Sequence, residues 1–441
     1  MAEPFELKQE AGVSALPRTV AAIERGMRER LHVGAQLYVS LRGRVVADVA
    51  VGLARDGVPM RPDTLMLWLS AGKPVAAVAV AQLWERGLLE LDDPVARHIP
   101  EFAAGGKERV SVRHILTHTA GFRAVLGHWE DKPWDQVIAA ISAARLEPRW
   151  VVGETAGYHP LTSWYVLGEL VRRLDGRAFE KYVREEIFRP AGMENCWVGL
   201  PADRYRAYGE RSGLMHDTRG GKAEANYFVD TERGSGQSRP PSGARGPARE
   251  LGRFYEVMLG RGRVDGGGAS SSFPSPSGVP AKREVEGQGE GSSGDARRES
   301  RDSTPTPPHP NPLPEGEGTR KSRLLTSQTV DALTARHRVG VFDKTFRHVV
   351  DWGLGFVMQS NQYGEATVPY GFGRHASPRT FGHSGSRSSI GYADPEHALA
   401  VACIFNGAPE EARHDARMRE VNALIYEELG LARPATQDGD S

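Results

Sequence analysis

Cysteine is scarce in this chain: 441 residues hold two, Cys196 and Cys403. They lie far apart and outside any C-x-x-C or zinc spacing, which argues against a disulfide framework and a cysteine metal site. A reducing, cytoplasmic compartment is the expectation. Long hydrophobic runs are missing too. No window approaches 18 uninterrupted apolar residues, so no segment is expected to span a membrane. The N-terminal stretch MAEPFELKQEAGVSALPRTVAAIERGMRERL carries acidic residues early and lacks the apolar core of a secretory signal. Excess charge of either sign is also absent. The 56 Lys and Arg balance the 56 Asp and Glu, so no global field draws the chain to nucleic acid, an anionic membrane or an acidic substrate.

What is present is enough apolar material for a large core. At 39% hydrophobic residues, a chain of this length supports two domains or one large composite domain. Its composition changes abruptly over residues 266–321, where Gly, Ser, Pro and charge dominate around a single aromatic residue. Such a segment cannot bury enough apolar surface to fold, so a disordered insertion is predicted there, with a disordered tail over 436–441. Hairpins are predicted over Gly34 to Ala54, turning at Arg42-Gly43, and over Ser388 to Ala408, turning at Asp394-Pro395-Glu396. Helices are predicted over Arg18 to Leu31, Ala248 to Gly262, Leu324 to His337 and Glu411 to Gly430, and helical patterns fill much of the middle, including Ser111 to Gly121. The expected architecture is α+β. An antiparallel sheet from residues 1–70 and 322–435, flanked by N- and C-terminal helices, carries an inserted mainly helical region over 71–265.

The stretch LWLSAGKPVAAVAVAQLWERG sets Ser70 and Lys73 at the head of an apolar helical run. From these residues alone two roles stay open. Ser70 caps the helix, or it is a nucleophile with Lys73 on the same face as its base. A lysine among apolar residues such as Val75 and Ala76 has its ammonium form disfavoured, and a helix N-terminus favours negative charge at the serine. Pro74 costs little in a first turn whose amides lack partners anyway. Elsewhere, His114 and His118 are four apart, but no Glu-x-x-His arrangement completes a zinc site. Structural roles are expected for both, and neither a metal nor an organic cofactor is. GHSGS ends in serine where the G-x-S-x-G elbow of α/β-hydrolases needs glycine, and lacks the strand-turn-helix context.

Downstream of SAGK come, in order, LLELDDPVARHIPEF, VSVRHILTHTAGF, YHP, LGELVRRLDGRAFEKYVREEIFRPAGME and FGHSGSRSSIGYADPEHALAVACIFNG. On these motifs the chain resembles the serine β-lactamase and penicillin-binding superfamily, in particular the group of class C β-lactamases, D-alanyl-D-alanine peptidases and β-lactamase-fold esterases. The resemblance covers residues 15–265 and 322–430. It implies that Ser70 is the acylated nucleophile and Lys73 the lysine of S-x-x-K. Tyr158 matches the tyrosine of Y-x-N, which exchanges protons with that lysine. His383-Ser384-Gly385 matches the third motif, on a strand lining the site opposite the serine, where it binds substrate. The backbone N–H groups of Ser70 and Ser386 would form the oxyanion hole.

Two positions depart from the lactamase pattern. Pro160 stands where Y-x-N has its asparagine, and His383 where K-T-G has its lysine, leaving a weaker, pH-dependent partner for a substrate carboxylate. Both changes remove recognition of a carboxylated amide, and neither removes the acylation machinery. The expected function is therefore a serine hydrolase acting as an esterase on small carboxylic esters, with weak or no β-lactamase activity. A D-amino-acid peptidase or amidase, a β-lactamase, and a non-catalytic binding relative remain the alternatives. Arg387 is either a fixed positive charge near the hole or a surface arginine, and the oligomeric state stays open.

Overall fold

The structure, a computed structural model, describes residues 15–123, 132–225, 227–264 and 322–433. The predicted insertion over 266–321 and the tail over 436–441 lie outside the described residues. A seven-stranded antiparallel sheet is built from the two chain ends. Its strands are β1 (Gly34–Leu41), β2 (Arg44–Arg55), β3 (Val58–Pro59), β4 (Val357–Met358), β5 (Phe381–Gly385), β6 (Ser389–Asp394) and β7 (Leu399–Phe405), in the order β4-β5-β6-β7-β1-β2-β3. The first and last thirds of the chain meet where β1 pairs with β7, Ala35 opposite Phe405 and Leu41 opposite Leu399. Both predicted hairpins form. At the first, Arg42 and Gly43 both have positive φ, the two-residue turn whose twist suits antiparallel strands.

Alternation along the strands sends side chains to two buried faces. On one, Leu37, Val39, Val401, Cys403 and Phe405 pack with Val20 and Ile23 of helix α1 (Pro17–Arg28), and with residues of the C-terminal helix Glu411–Glu428, among them Met418, Val421 and Ile425. On the other, Tyr38, Ala400, Ala402 and Ile404 meet Leu251, Phe254 and Tyr255 of the helix Ala248–Leu259. Gly252 makes that approach possible, because a Cβ there would overlap the Tyr38 ring. Asn406, fully buried just past β7, accepts from the amides of Val33 and Gly34 and donates to Leu53, tying three strand ends together.

In sequence the helical region lies between the two halves of the sheet. Its central helix α2 (Lys73–Glu85) is buried from Lys73 to Trp84 on all sides, as a helix apolar around its whole circumference must be. It packs on helix α3 (Thr162–Asp175). Several predicted helices prove shorter. The run from Ser111 forms helix only over Val112–Leu116, because His118 takes a positive φ that no helix continues. The run from Leu324 forms helix only over Ser327–Leu333, starting at the Thr326 side chain, which accepts from the Thr329 amide. The Ala248 helix ends at Leu259 rather than Gly262.

Either side of residues 265–321 the chain is paired with itself. Val264 N donates to Ser322 O at 2.7 Å, and Leu324 N donates to Gly262 O at 2.7 Å. The segment therefore leaves and re-enters the fold at adjacent points, a closure whose entropy grows slowly with loop length. Replacing residues 265–321 by a short Gly-Ser turn is expected to leave the thermal midpoint within a few degrees of the full chain in a melting experiment. A collapse of the fold would show that the segment contributes to the core.

Seven histidines are buried among the described residues: His32, His118, His159, His216, His375, His383 and His414. Burial lowers the pKa of His32, His118, His159, His216, His383 and His414, with neighbouring positive groups adding to the effect for all of these but His216, and His159 and His383 fall to about 3. The unfolded chain takes up protons below about pH 6.5 that the folded chain refuses. Stability is therefore lost as pH falls from about 6.5 toward 3, at up to about 1.4 kcal/mol per histidine per pH unit. Thermal midpoints are expected to drop steadily between pH 7 and pH 4. A flat midpoint across that range would contradict neutral burial.

Candidate active site

The chain approaches Ser70 through a pinned tryptophan. Trp68 donates its indole N–H to Gly246 O at 2.8 Å and its amide to Ala244 O at 2.8 Å, while Ser389 Oγ donates to Trp68 O at 2.5 Å. Leu69 then takes φ +51°, a left-handed conformation that costs a leucine about 1–3 kcal/mol. The next residues, Leu69–Gly72, form a 3₁₀ turn, and α2 begins only at Lys73. This corrects the idea that Ser70 starts the helix: its side chain caps no amide and sits on the half-exposed turn before it.

Lys73 is 0% exposed. Its Nζ lies 2.8 Å from Ser70 Oγ and donates to the carbonyls of Pro160 at 2.9 Å and Pro241 at 2.7 Å. It also stands over the rings of Tyr158 and Trp164, 5.4 and 5.5 Å from their centroids. Burial alone holds the ammonium pKa well below the ordinary lysine value. The carbonyls only accept, so two N–H bonds are committed to them. The remaining direction, toward Ser70, carries an N–H in the charged amine and a lone pair in the neutral one.

Tyr158 closes the other side of the serine. It is 8% exposed, and burial raises its phenol pKa while a hydrogen bond with Ser70 works in the opposite direction. Phe346 stacks on it at 4.9 Å with the planes 21° apart, and His118 and Trp352 pack against it from within. His118 takes its place here as a wedge between aromatic rings, its Nδ1 accepting from the His159 amide. His114 lies elsewhere, its Nδ1 accepting from the Ser111 amide in a capping box.

The third motif lies on β5, between β4 and β6. His383 is 3% exposed and faces Tyr158, Trp164 and Trp352. Its Nδ1 lies 2.8 Å from Ser384 O, so that nitrogen carries the proton and Nε2 is an acceptor. Burial and the nearby Lys73 lower its pKa to about 3. Burial thus works against the cationic form that a substrate carboxylate would need at His383. Ser384 points to the opposite face and donates to Tyr370 O at 3.3 Å. Gly385 lies against Trp68 and Leu69, where a Cβ would strike the Trp68 carbonyl. The strand end thus abuts the serine turn, with Ser386 exposed just beyond. Arg387 donates to Pro409 O at 3.3 Å.

Sequence patterns pointed to Ser70, Lys73, Tyr158 and His383, and the fold brings these four together. They did not point to the carbonyls of Pro160 and Pro241, since every residue has a carbonyl and no side-chain pattern marks the one that is used. They also missed Asp343, which accepts from the Tyr158 amide at 3.0 Å from 185 positions away. Its only signal in sequence is a local turn, its Oδ1 accepting from Thr345 and Phe346.

Comparison with known proteins bears on family and fold. A family model described as Beta-lactamase matches residues 20–424. Esterase EstB of Burkholderia gladioli is 32% identical over 219 residues, which cover 44% of this chain and 54% of that protein. Esterase/beta-lactamase LipL of Mycobacterium tuberculosis is 33% identical over 170 residues, covering 38% of this chain and 39% of LipL. The chain thus spans about half or less of the length of these relatives. Among solved structures, a penicillin-binding protein homolog from Caulobacter crescentus superposes with a TM-score of 0.69 at 26% identity, covering 95% of this chain and 99% of the other. A family VIII carboxylesterase gives 0.68 at 21% identity, with the same coverage. A match across nearly all of the described chain, a shared fold, and a buried lysine against a half-exposed serine together place this chain in the beta-lactamase family.

Proposed function

We propose that the chain is a serine hydrolase that works through an acyl-enzyme and acts as an esterase on small carboxylic esters. The observation that carries this reading is the hydrogen bonding of Lys73. With two N–H bonds held by Pro160 O and Pro241 O, the neutral amine turns its lone pair to Ser70 and accepts the hydroxyl proton as Oγ attacks the ester carbonyl. The amides of Ser70 and Ser386 receive the developing oxyanion, an interaction whose loss costs about 3 kcal/mol. Tyr158 gives its proton to the leaving alkoxide and is reprotonated from Lys73. Water then attacks the acyl-enzyme, and Ser70 regains its proton. All groups needed for these steps belong to the chain.

The choice of ester over β-lactam rests on His383 and Pro160. A neutral imidazole presenting a lone pair gives a substrate carboxylate no positive partner, and Pro160 offers no side-chain amide to an acylamino group. His383 and Gly385 line the substrate side of the site in this reading, with Ser384 supporting the strand from behind. The names of EstB and LipL support esterase chemistry in the family. We extend the reading to a small-molecule ester or amide as the partner and to a cytoplasmic setting, supported by Cys196 and Cys403 being buried free thiols.

Intact-mass measurement after exposure to a fluorophosphonate and to a penicillin tests this directly. Wild type is expected to gain the phosphonyl mass and little penicilloyl mass, and Ser70→Ala to gain neither. Turnover of p-nitrophenyl acyl esters is expected to fall at least a thousandfold in Lys73→Met. Hydrolysis of D-alanyl amides without hydrolysis of esters would overturn the substrate class, and an unlabelled wild type the hydrolase itself.

A further inference from the structure

We propose that Asp343 is a positioning residue for Tyr158, acting through a clamp between segments 156–158 and 343–345. This rests on the hydrolase reading above, in which Tyr158 passes protons. Three hydrogen bonds join the two segments. Lys344 N donates to Ala156 O at 3.0 Å, Tyr158 N donates to Asp343 Oδ1 at 3.0 Å, and Thr345 Oγ1 donates to Tyr158 O at 2.9 Å. Both polar atoms of the Tyr158 backbone are therefore held by one short turn of the C-terminal half.

The carboxylate divides its work between its oxygens. Oδ1 collects the amides of Tyr158, Thr345 and Phe346, so the same atom that holds Tyr158 also shapes the turn presenting Phe346. Phe346 in turn stacks on the Tyr158 ring. Oδ2 accepts from Arg338 Nη2 at 3.0 Å. Arg338 is itself buried and reaches Thr117 O at 3.1 Å and Val350 O at 3.0 Å, which anchors the clamp to the helical region and to the sheet side at once. A buried ion pair of this kind is weak evidence for stability, since removing its charges from water offsets most of the attraction. Retaining it directly behind a residue that must hold a phenol against Ser70 is what points to a positional role.

The phenol has little tolerance for displacement, because proton transfer needs hydrogen-bond distance at both Ser70 and the leaving oxygen. Loosening the clamp should therefore slow chemistry while leaving substrate binding alone. In Asp343→Asn, Oδ1 still accepts the three amides, but Nδ2 faces Arg338 donor to donor. Thr345→Val removes the second hold on Tyr158 from an exposed position.

The experiment measures ester kcat and KM, the rate of fluorophosphonate labelling at Ser70, and thermal midpoints. Asp343→Asn is expected to lower kcat and the labelling rate tenfold or more with KM within threefold. Thr345→Val should lower both rates three- to tenfold at an unchanged midpoint. Folded single variants with wild-type kcat, or with losses confined to KM, would overturn the proposal. If Asp343→Asn does not fold, Thr345→Val decides alone, and an unchanged kcat there overturns it. A labelled wild type with unaffected variants sinks the clamp only, whereas an unlabelled wild type sinks the hydrolase reading beneath it.

Discussion

An amine buried without an anion organises most of what surrounds it. Lys73 is fully enclosed, and its lowered pKa has burial as its cause, with no carboxylate beside it among the described residues. A charged ammonium in that position would cost several kcal/mol. The neutral amine still needs acceptors for its N–H bonds, and these come from two loops, at Pro160 and Pro241. The first loop leads directly into α3 and carries Tyr158. The second runs into the short strand Ala244–Gly246, whose carbonyls at Ala244 and Gly246 pin Trp68. One side chain thus couples the serine turn, the tyrosine loop and the strand that braces the serine.

The sheet supplies the opposite wall, and its construction explains how residues at the two ends of the chain reach one site. β1 and β7 pair along their whole length, and the terminal helices cover the same face. On the other face small residues at Ala400 and Ala402 and the glycine at Gly252 let the helix Ala248–Leu259 settle closely on the sheet. Gly385 completes that approach, since no side chain fits between the end of β5 and Trp68. The backbone beyond it is thereby delivered beside the Ser70 turn.

Neutrality extends from Lys73 to its neighbours. His383 stands where a lysine would place a cation, yet burial first, and then the nearby Lys73, lower its tendency to protonate. The same two causes act on His118, and burial also lowers His159. Burial thus pushes the Lys73 amine and the imidazoles around it toward their uncharged forms, leaving a polarity there that is directional, in lone pairs and N–H groups.

How much of this was legible in the sequence depended on whether the chemistry was local. Ser70 with Lys73, the turn at Arg42-Gly43 and the turn after Asp394 are written in adjacent residues, and each formed where its pattern placed it. Tyr158 and His383 were legible through the order of the motifs. Features set by enclosure were not. The neutrality of His383 follows from rings contributed by Tyr158, Trp164 and Trp352, and its tautomer from the carbonyl of its neighbour. The early end of the Val112 helix follows from His118 being drawn inward at positive φ. Backbone carbonyls at Pro160 and Pro241 have no signature at all. Pro160 is the instructive case: by side chain it departs from the asparagine pattern, but Lys73 uses its carbonyl, which any residue there would present, so the departure leaves that hydrogen bond in place.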